Sequence, residues 1–141
     1  MYKKILVPLD RSHSDQTILT HVRALARLTG GELILVHVAD GYAARLKEQL
    51  DLADSEEIKE DSAYLDERVA ELKAERFPVK SHLLAGEPTE EILKIADQEK
   101  CDLIAMSTHG HRLVKDVLLG SVADSLRHRT TIPILMIRAA K

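Results

Sequence analysis

Cysteine and aromatic residues are scarce in this sequence. Its 141 residues include one cysteine, no tryptophan, one phenylalanine and three tyrosines. A single cysteine, Cys101, excludes an internal disulfide and any metal site that is built from several cysteines. Because Cys101 stands where a predicted helix gives way to a predicted strand, we expect a small buried thiol there rather than a reactive one.

An excess of charge of either sign is also missing. The formal net charge is −3, with acidic and basic residues interspersed along the chain. No basic field is therefore available to concentrate nucleic acid or an anionic membrane surface, and we expect neither as a partner.

Long hydrophobic runs are absent as well. No stretch approaches the roughly 20 apolar residues that a membrane-spanning helix requires. The apolar run in the N-terminal MYKKILVPLD is too short for the core of a signal peptide. We therefore expect a cytoplasmic protein. The length is that of one domain, residues 1–141, with a single core.

The sequence does contain a regular alternation of short apolar runs and helical patterns. The apolar runs have the length of β-strands and cover residues 3–9, 32–38, 79–85, 102–107 and 132–138. Four helical patterns lie between them. The third begins near Pro88, which suits a first helical turn, and the fourth is short, from about Ser121 to His128.

This alternation predicts an α/β fold. Strands that are nearly continuous in apolar residues favour a parallel sheet covered by helices on both faces. Right-handed crossovers then make a doubly wound layer the natural topology. We expect a five-stranded parallel sheet with the order 3-2-1-4-5. One irregular excursion is expected after strand 2, at residues 39–57, as part helix and part loop.

Ligands of such sheets bind beyond the carboxyl ends of the strands, where the crossover direction reverses. In the predicted order that crevice lies between strands 1 and 4, which are followed by PLDRS and STHGH. Gly110 lets backbone N–H groups approach an anion closely, and Gly120 does the same just before the fourth helix, where Ser121 adds a hydroxyl. The pattern predicts a polyphosphate cradle without a lysine.

A second interpretation of these residues is purely structural. Ser121 is a common type of helix N-cap, with Asp124 three residues on in an approximate capping box, and glycines punctuate many loops. Neither G-x-x-x-x-G-K-[ST] nor G-x-G-x-x-G occurs, so the two commonest phosphate-binding motifs are excluded.

Several stretches together carry a likeness to a known family. They run from YKKILVPLDRS through LVHV and LAGEP to CDLIAMSTHGHRLVKDVLLGSVADSLRHRTTIPILMIR, and so cover nearly the whole chain. On these stretches the chain resembles the small single-domain universal stress proteins. The C-terminal pattern of their nucleotide-binding branch, G-x2-G-x9-G-[ST], matches at Gly110, Gly120 and Ser121, with Ser107 in place of the first glycine.

The resemblance implies a protein that binds ATP, or AMP or ADP, together with Mg²⁺. It places Asp10 near the ribose or a phosphate-bound metal ion, and the backbone of Val38 against adenine. The residues that it assigns to the nucleotide are Pro8, Leu9, Asp10, Val38, Met106, Ser107, Gly110, His111, Arg112, Gly120, Ser121 and Val122. Plainer roles stay open: Asp10 as a cap of helix 1, Val38 as core, Arg112 as a solvated loop residue.

The seven histidines form no i, i+4 pair on a helix and have no cysteine partners, so we expect no structural metal site. His21 is expected on the surface of helix 1. The last strand, residues 132–138, lies at the margin of the predicted sheet, where an apolar edge favours pairing with another chain. The resemblance implies a homodimer built on this strand.

Two functions stay open. In the first, nucleotide orders the loop 108–120 and shifts a surface that a partner protein reads. In the second, the chain is a slow ATPase or nucleotidyl transferase, with Asp10 as a metal ligand and His109 or His111 near the phosphates. A flavodoxin is disfavoured because aromatic residues are too few, and a phosphoacceptor domain because acids do not cluster after strand 1.

Overall fold

The computed structural model describes residues 1–39, 56–108 and 114–139, and over 114–120 it describes the backbone alone. The strands are β1 (Lys4–Pro8), β2 (Glu32–Ala39), β3 (Val79–Ala85), β4 (Leu103–Thr108) and β5 (Ile134–Arg138). The helices of the described part are α1 (Ser14–Thr29), α2 (Glu56–Ala74), α3 (Pro88–Gln98) and α4 (Val114–Arg129).

The five strands form one parallel sheet in the order β3-β2-β1-β4-β5, as predicted. Every predicted strand occurs within two residues of its expected ends. The short apolar runs were sufficient for this prediction because β1, β2 and β4 are buried on both faces of the sheet, whereas the edge strands β3 and β5 are only partly buried.

Successive residues of each strand point to opposite faces of the sheet, and each face has its own hydrophobic cluster. On one face, Ile5, Leu33 and Leu103 pack with α1 and α2. On the other face, Leu6 and Ile104 pack with α3 and α4. The sheet is therefore the middle layer of three, as the doubly wound prediction requires.

The helix ends follow the local sequence. At the end of α1, Gly30 takes a left-handed conformation (φ 72°) and donates its N–H to the carbonyl of Ala26 at 2.8 Å. At the start of α3, the Glu87 carboxylate accepts the N–H of Glu90 at 2.8 Å, and Pro88 takes the first helical position as predicted. His21 is exposed on α1 and Cys101 is buried, both as expected.

The prediction for the fourth helix was wrong. This helix begins at Val114 rather than near Ser121, so Gly120 and Ser121 lie inside it. Lys and Leu in the stretch 114–120 are good helix formers, and one glycine inside a helix costs only about 1 kcal/mol relative to alanine. A glycine followed by serine therefore does not by itself mark a helix start.

The predicted irregular excursion at residues 39–57 is narrower than expected. Ala39 belongs to β2, and Glu56 and Glu57 begin α2. The rest of this prediction, at 40–55, lies outside the described residues. Among the helices of the described ranges, none combines the length and the apolar character that a bilayer-spanning segment requires.

Candidate functional site

A crevice opens between the carboxyl ends of β1 and β4. These strands pair at Ile5 with Leu103 and at Leu6 with Ile104. Beyond that point β1 stays paired with β2 as far as Pro8, and β4 stays paired with β5 as far as Thr108. The two central strands thus separate where the strand order reverses, which is the usual ligand position in doubly wound sheets.

The backbone of Val38 faces this crevice. The N–H of Leu9 donates to the carbonyl of Val36 at 2.8 Å, so Val36 turns its backbone polar groups toward β1. Alternate residues of a strand share this direction, and Val38 therefore turns its N–H and C=O to the same side, two residues beyond the end of the β1 register. A contact between this backbone and adenine stays a prediction.

On the opposite side of the crevice, β4 turns the backbone of Ser107 toward β1. The carbonyl of Thr108 accepts the N–H of Ala139 at 2.7 Å beside β5, and the backbone of Ser107, one residue earlier, takes the other side. Its side chain is 1% exposed, and within the described part of the chain its Oγ has no hydrogen-bond partner. Met106 is fully buried in the cluster under α3 and α4.

The loop that follows β1, residues 9–13, closes the crevice near β2. Leu9 is buried, and its carbonyl accepts a bond of 2.8 Å from Nδ1 of His37, which therefore carries the proton. Asp10 is partly buried, and its Oδ1 accepts from the N–H and the hydroxyl of Ser12, at 2.9 and 2.6 Å. The Asp10 carboxylate thus helps to fold the turn that leads into α1.

Asp15, in the first turn of α1, is hydrogen-bonded both to this loop and to α2. Its carboxylate accepts the N–H groups of Asp10 and Arg11 at 3.1 and 2.9 Å, and the hydroxyl of Tyr64 in α2 at 2.6 Å. Asp15 is 1% exposed. Burial raises the pKa of its carboxyl to about 7, although the bond from Tyr64 acts to lower it.

Arg11 makes a second link from the loop to α2. Its guanidinium lies 2.7 Å from Oδ1 of Asp61, and this hydrogen bond is the main cause that raises the pKa of Arg11. Asp61 is 2% exposed, and Nε2 of His37 lies 3.4 Å from the same oxygen. Arg11 itself has a left-handed backbone (φ 66°), which is uncommon for a residue with a side chain.

Local sequence patterns did not predict a site role for Asp15, Asp61, Tyr64 or His37. One signal was present for α2: Asp61 and Tyr64 lie on the apolar stripe of the helix with Leu65, where an acid is out of place unless it has a partner. No sequence signal identified that partner as Arg11, because the two residues meet only through the tertiary fold.

The predicted phosphate residues are placed only in part. Gly110, His111 and Arg112 lie outside the described residues. Gly120 and Ser121 lie inside α4, where backbone N–H groups face the carbonyls four residues earlier. Ser121 is exposed and Val122 is buried in the cluster under α3 and α4. A cradle formed by a helix start at Ser121 is therefore not what the structure contains.

The described ranges 1–39, 56–108 and 114–139 contain no group of three or more His, Cys, Asp or Glu side chains that could hold a metal ion. Asp10 is the one acid of the loop after β1, and its carboxylate oxygen is of the ligand type that Mg²⁺ prefers.

Comparison with known proteins agrees with the fold. The universal stress protein family model matches residues 1–138. A universal stress protein of Methanocaldococcus jannaschii is 34% identical, over 98% of this chain and 96% of its own length. The solved structure of that protein superposes with a TM-score of 0.84 and covers 100% of this chain and 99% of its own.

Two further solved structures share the fold. One, a universal stress protein from Archaeoglobus fulgidus in complex with dAMP, is 24% identical with a TM-score of 0.72, and covers 96% of this chain and 98% of its own. The other, a universal stress protein in complex with cAMP, is 21% identical with a TM-score of 0.70, and covers 99% of this chain and 98% of its own. Sequence, fold and family model agree, and the chain belongs to the universal stress protein family.

Proposed function

We propose that this protein binds an adenine nucleotide in the crevice between β1 and β4. The observation that carries the proposal is the separation of these two strands beyond Leu6 and Ile104, with the backbones of Val38 and Ser107 turned toward the gap. Relatives of the same fold were solved with cAMP and with dAMP, which supports an adenine nucleotide as the ligand.

Each part of the nucleotide has a counterpart in the crevice. The backbone N–H and C=O of Val38 suit the edge of adenine, which presents both an acceptor and a donor. Pro8 and Leu9, both buried, are assigned to the nucleoside side of the pocket, and Asp10 is assigned to the ribose hydroxyls or to Mg²⁺. The unpartnered Oγ of Ser107 gains a partner if the ligand reaches it.

The phosphates are assigned to Gly110, His111, Arg112, Gly120 and Ser121, as the family resemblance implies. A role for the backbone N–H groups of Gly120 and Ser121 requires that α4 unwinds over 114–120 when the nucleotide binds, because within the helix these groups face carbonyls. Gly120 lowers the free energy needed for that change, since glycine is a poor helix former. Nucleotide would thereby reshape the start of α4.

We propose a regulatory role in which ATP with Mg²⁺ is the occupant and the reshaped segment is read by another protein. Efficient phosphoryl transfer needs several aligned charges around the phosphates. In the loop after β1, the guanidinium of Arg11 is already paired with Asp61 and Glu60 of α2. This observation favours binding over turnover.

Calorimetric titration with ATP and Mg²⁺ at pH 8, with GTP as a competitor control, tests the proposal. Asp10→Asn should weaken ATP binding by roughly 10–100-fold, the range for loss of one hydrogen bond to a charged group. Asp97→Asn removes the same charge from an exposed position near the end of α3 and should leave the affinity unchanged. No heat and no copurifying nucleotide for the wild type would reject adenine nucleotide binding.

We also propose a homodimer through β5. This strand is an edge of the sheet, and Met136 on it is 43% exposed, one of the large hydrophobic side chains left in contact with solvent. Pro133 precedes the strand and limits where a second chain can pair. Light scattering after gel filtration should give twice the chain mass for the wild type and a lower mass for Met136→Lys.

A further inference from the structure

The loop after β1, residues 9–13, lies between the crevice and helix α2. This loop contains Asp10, which is proposed above to meet the nucleotide. It is bonded to α2 by way of Asp15 and Arg11. The backbone conformation of Asp10 therefore depends on Asp15 and, through Asp15, on Tyr64 of α2.

Asp15 has the geometry of a clamp on this loop. One carboxylate oxygen, Oδ1, accepts the N–H of Asp10 at 3.1 Å, and the other, Oδ2, accepts the N–H of Arg11 at 2.9 Å. These two bonds fix the peptide groups on either side of the Asp10 Cα. They also stabilise the left-handed backbone of Arg11, which is otherwise disfavoured for a residue with a side chain.

Tyr64 positions the Asp15 carboxylate relative to α2. Its hydroxyl donates to the same Oδ2 at 2.6 Å, a short bond typical of a charged acceptor. Tyr64 is partly buried against the cluster beneath α1 and α2, and the guanidinium of Arg68 lies over its ring at 4.8 Å. The Tyr64 hydroxyl therefore moves with α2 and not with the loop.

We propose that Asp15 and Tyr64 are positioning residues of the nucleotide site: the Asp15 carboxylate holds the backbone of Asp10 in its binding conformation, and the Tyr64 bond couples that conformation to α2. The inference rests on the proposed nucleotide binding. By thermodynamic reciprocity, a nucleotide that orders Asp10 also strengthens the docking of α2. A partner that displaces α2 therefore lowers the affinity for the nucleotide.

The first test needs no nucleotide. Hydrogen exchange of the Asp10 and Arg11 amides is followed by NMR at pH 8 in the wild type, in Tyr64→Phe and in Val69→Ala. Val69 is a matched control because it lies on the same helix and packs against the same cluster. We expect exchange of both amides to accelerate about tenfold in Tyr64→Phe relative to Val69→Ala, the effect of losing one hydrogen bond to a carboxylate. Equal exchange in the two variants overturns the proposal.

The second test measures the ATP affinity of the same three proteins and of Asp15→Asn. Tyr64→Phe should bind ATP about tenfold more weakly than Val69→Ala, and Asp15→Asn should weaken binding in the same direction. In the wild type, ATP should slow exchange across α2, and Tyr64→Phe should lose that protection while it keeps protection at Asp10. Affinities that agree within twofold between Tyr64→Phe and Val69→Ala overturn the coupling.

The two proposals fail in distinguishable ways. A wild-type protein without any affinity for ATP rejects the proposed function and the site role of Asp15 and Tyr64 with it, whereas the amide exchange data still decide whether these residues hold the loop. A wild-type protein that binds ATP, with no difference between Tyr64→Phe and Val69→Ala in either test, rejects the positioning role alone.

Discussion

The hydroxyl of Tyr64 on α2 donates a hydrogen bond of 2.6 Å to Oδ2 of Asp15 on α1. The two residues are 49 positions apart in the chain, and their bond joins both helices of one face to the loop that borders the crevice. A polar link of this kind is sensitive to the charge of its acceptor, and it leads to the first prediction.

The stability of the protein should depend on pH through Asp15. Burial raises the pKa of Asp15 from 3.8 to about 7 in the folded state, so the folded protein binds this proton more tightly than the unfolded chain does. The contribution of Asp15 to the free energy of unfolding, up to about 4 kcal/mol, is fully present below about pH 4 and is lost as the pH rises through 7. Urea unfolding from pH 4.5 to 8 measures the trend.

The variant Asp15→Asn cannot titrate at this position and provides the reference. The wild type should lose stability relative to Asp15→Asn as the pH rises, whereas Asp66→Asn, at an exposed position on α2, should run parallel to the wild type. Parallel curves for the wild type and Asp15→Asn would show that the Asp15 pKa is not raised.

The ion pair between Arg11 and Asp61 should be strongly coupled. Arg11→Met leaves the buried carboxylate of Asp61 without its guanidinium at 2.7 Å, and we expect a loss of about 3 kcal/mol in the free energy of unfolding. The double variant Arg11→Met with Asp61→Asn should recover about half of that loss, because no buried charge is left unpaired. A double-mutant cycle by urea unfolding checks the coupling, and additive losses would contradict it.

Removal of the Ser107 hydroxyl should stabilise the protein. Its Oγ is buried with no hydrogen-bond partner in the part of the chain that the structure describes, so Ser107→Ala is expected to raise the free energy of unfolding by about 1 kcal/mol. Ser12→Ala removes a hydroxyl that is bonded to Asp10 and should lower stability instead. The comparison is made without nucleotide, by urea unfolding. A loss of stability in Ser107→Ala would mean that this hydroxyl has a partner.

Cys101 should be inert in the folded protein. Burial raises the pKa of its thiol from 9.0 to about 11, which lowers the thiolate fraction near neutral pH about 100-fold, and the side chain is 7% exposed. Alkylation by iodoacetamide at pH 8 should therefore be at least 100-fold slower in the native protein than in the urea-unfolded chain. Mass spectrometry follows the reaction. Comparable rates in the two states would contradict the burial of the thiol.

The strands and their order could be predicted because they depend on patterns within a few residues. KILVP and LIAMST are mostly apolar, as a strand buried on both faces requires, and right-handed crossovers favour a doubly wound sheet. Val38 and Ser107 lie near the carboxyl ends of β2 and β4, where the strand pattern places them, and their contact with a nucleotide stays a prediction.

The polar links to α2 could not be predicted in this way. Arg11 and Asp61 are 50 positions apart, and nothing near either residue specifies the other. The start of α4 was misjudged because a weak local preference of glycine was given more weight than the helix formers around it. Local patterns thus predicted the architecture, whereas long-range pairs of charged residues required the folded chain.

The junction of β1 with β4 divides the sheet into two lobes, β3-β2-β1 and β4-β5. Within each lobe the strands are registered over most of their length, but between the lobes the register is confined to Ile5–Leu103 and Leu6–Ile104. Partial unfolding is expected to begin between β1 and β4, since this pair of strands shares the fewest interstrand bonds. A molecule bound between the carboxyl ends of β1 and β4 would hold the two halves of the sheet together, so its dissociation would lower the stability of the whole domain and not only of its own pocket.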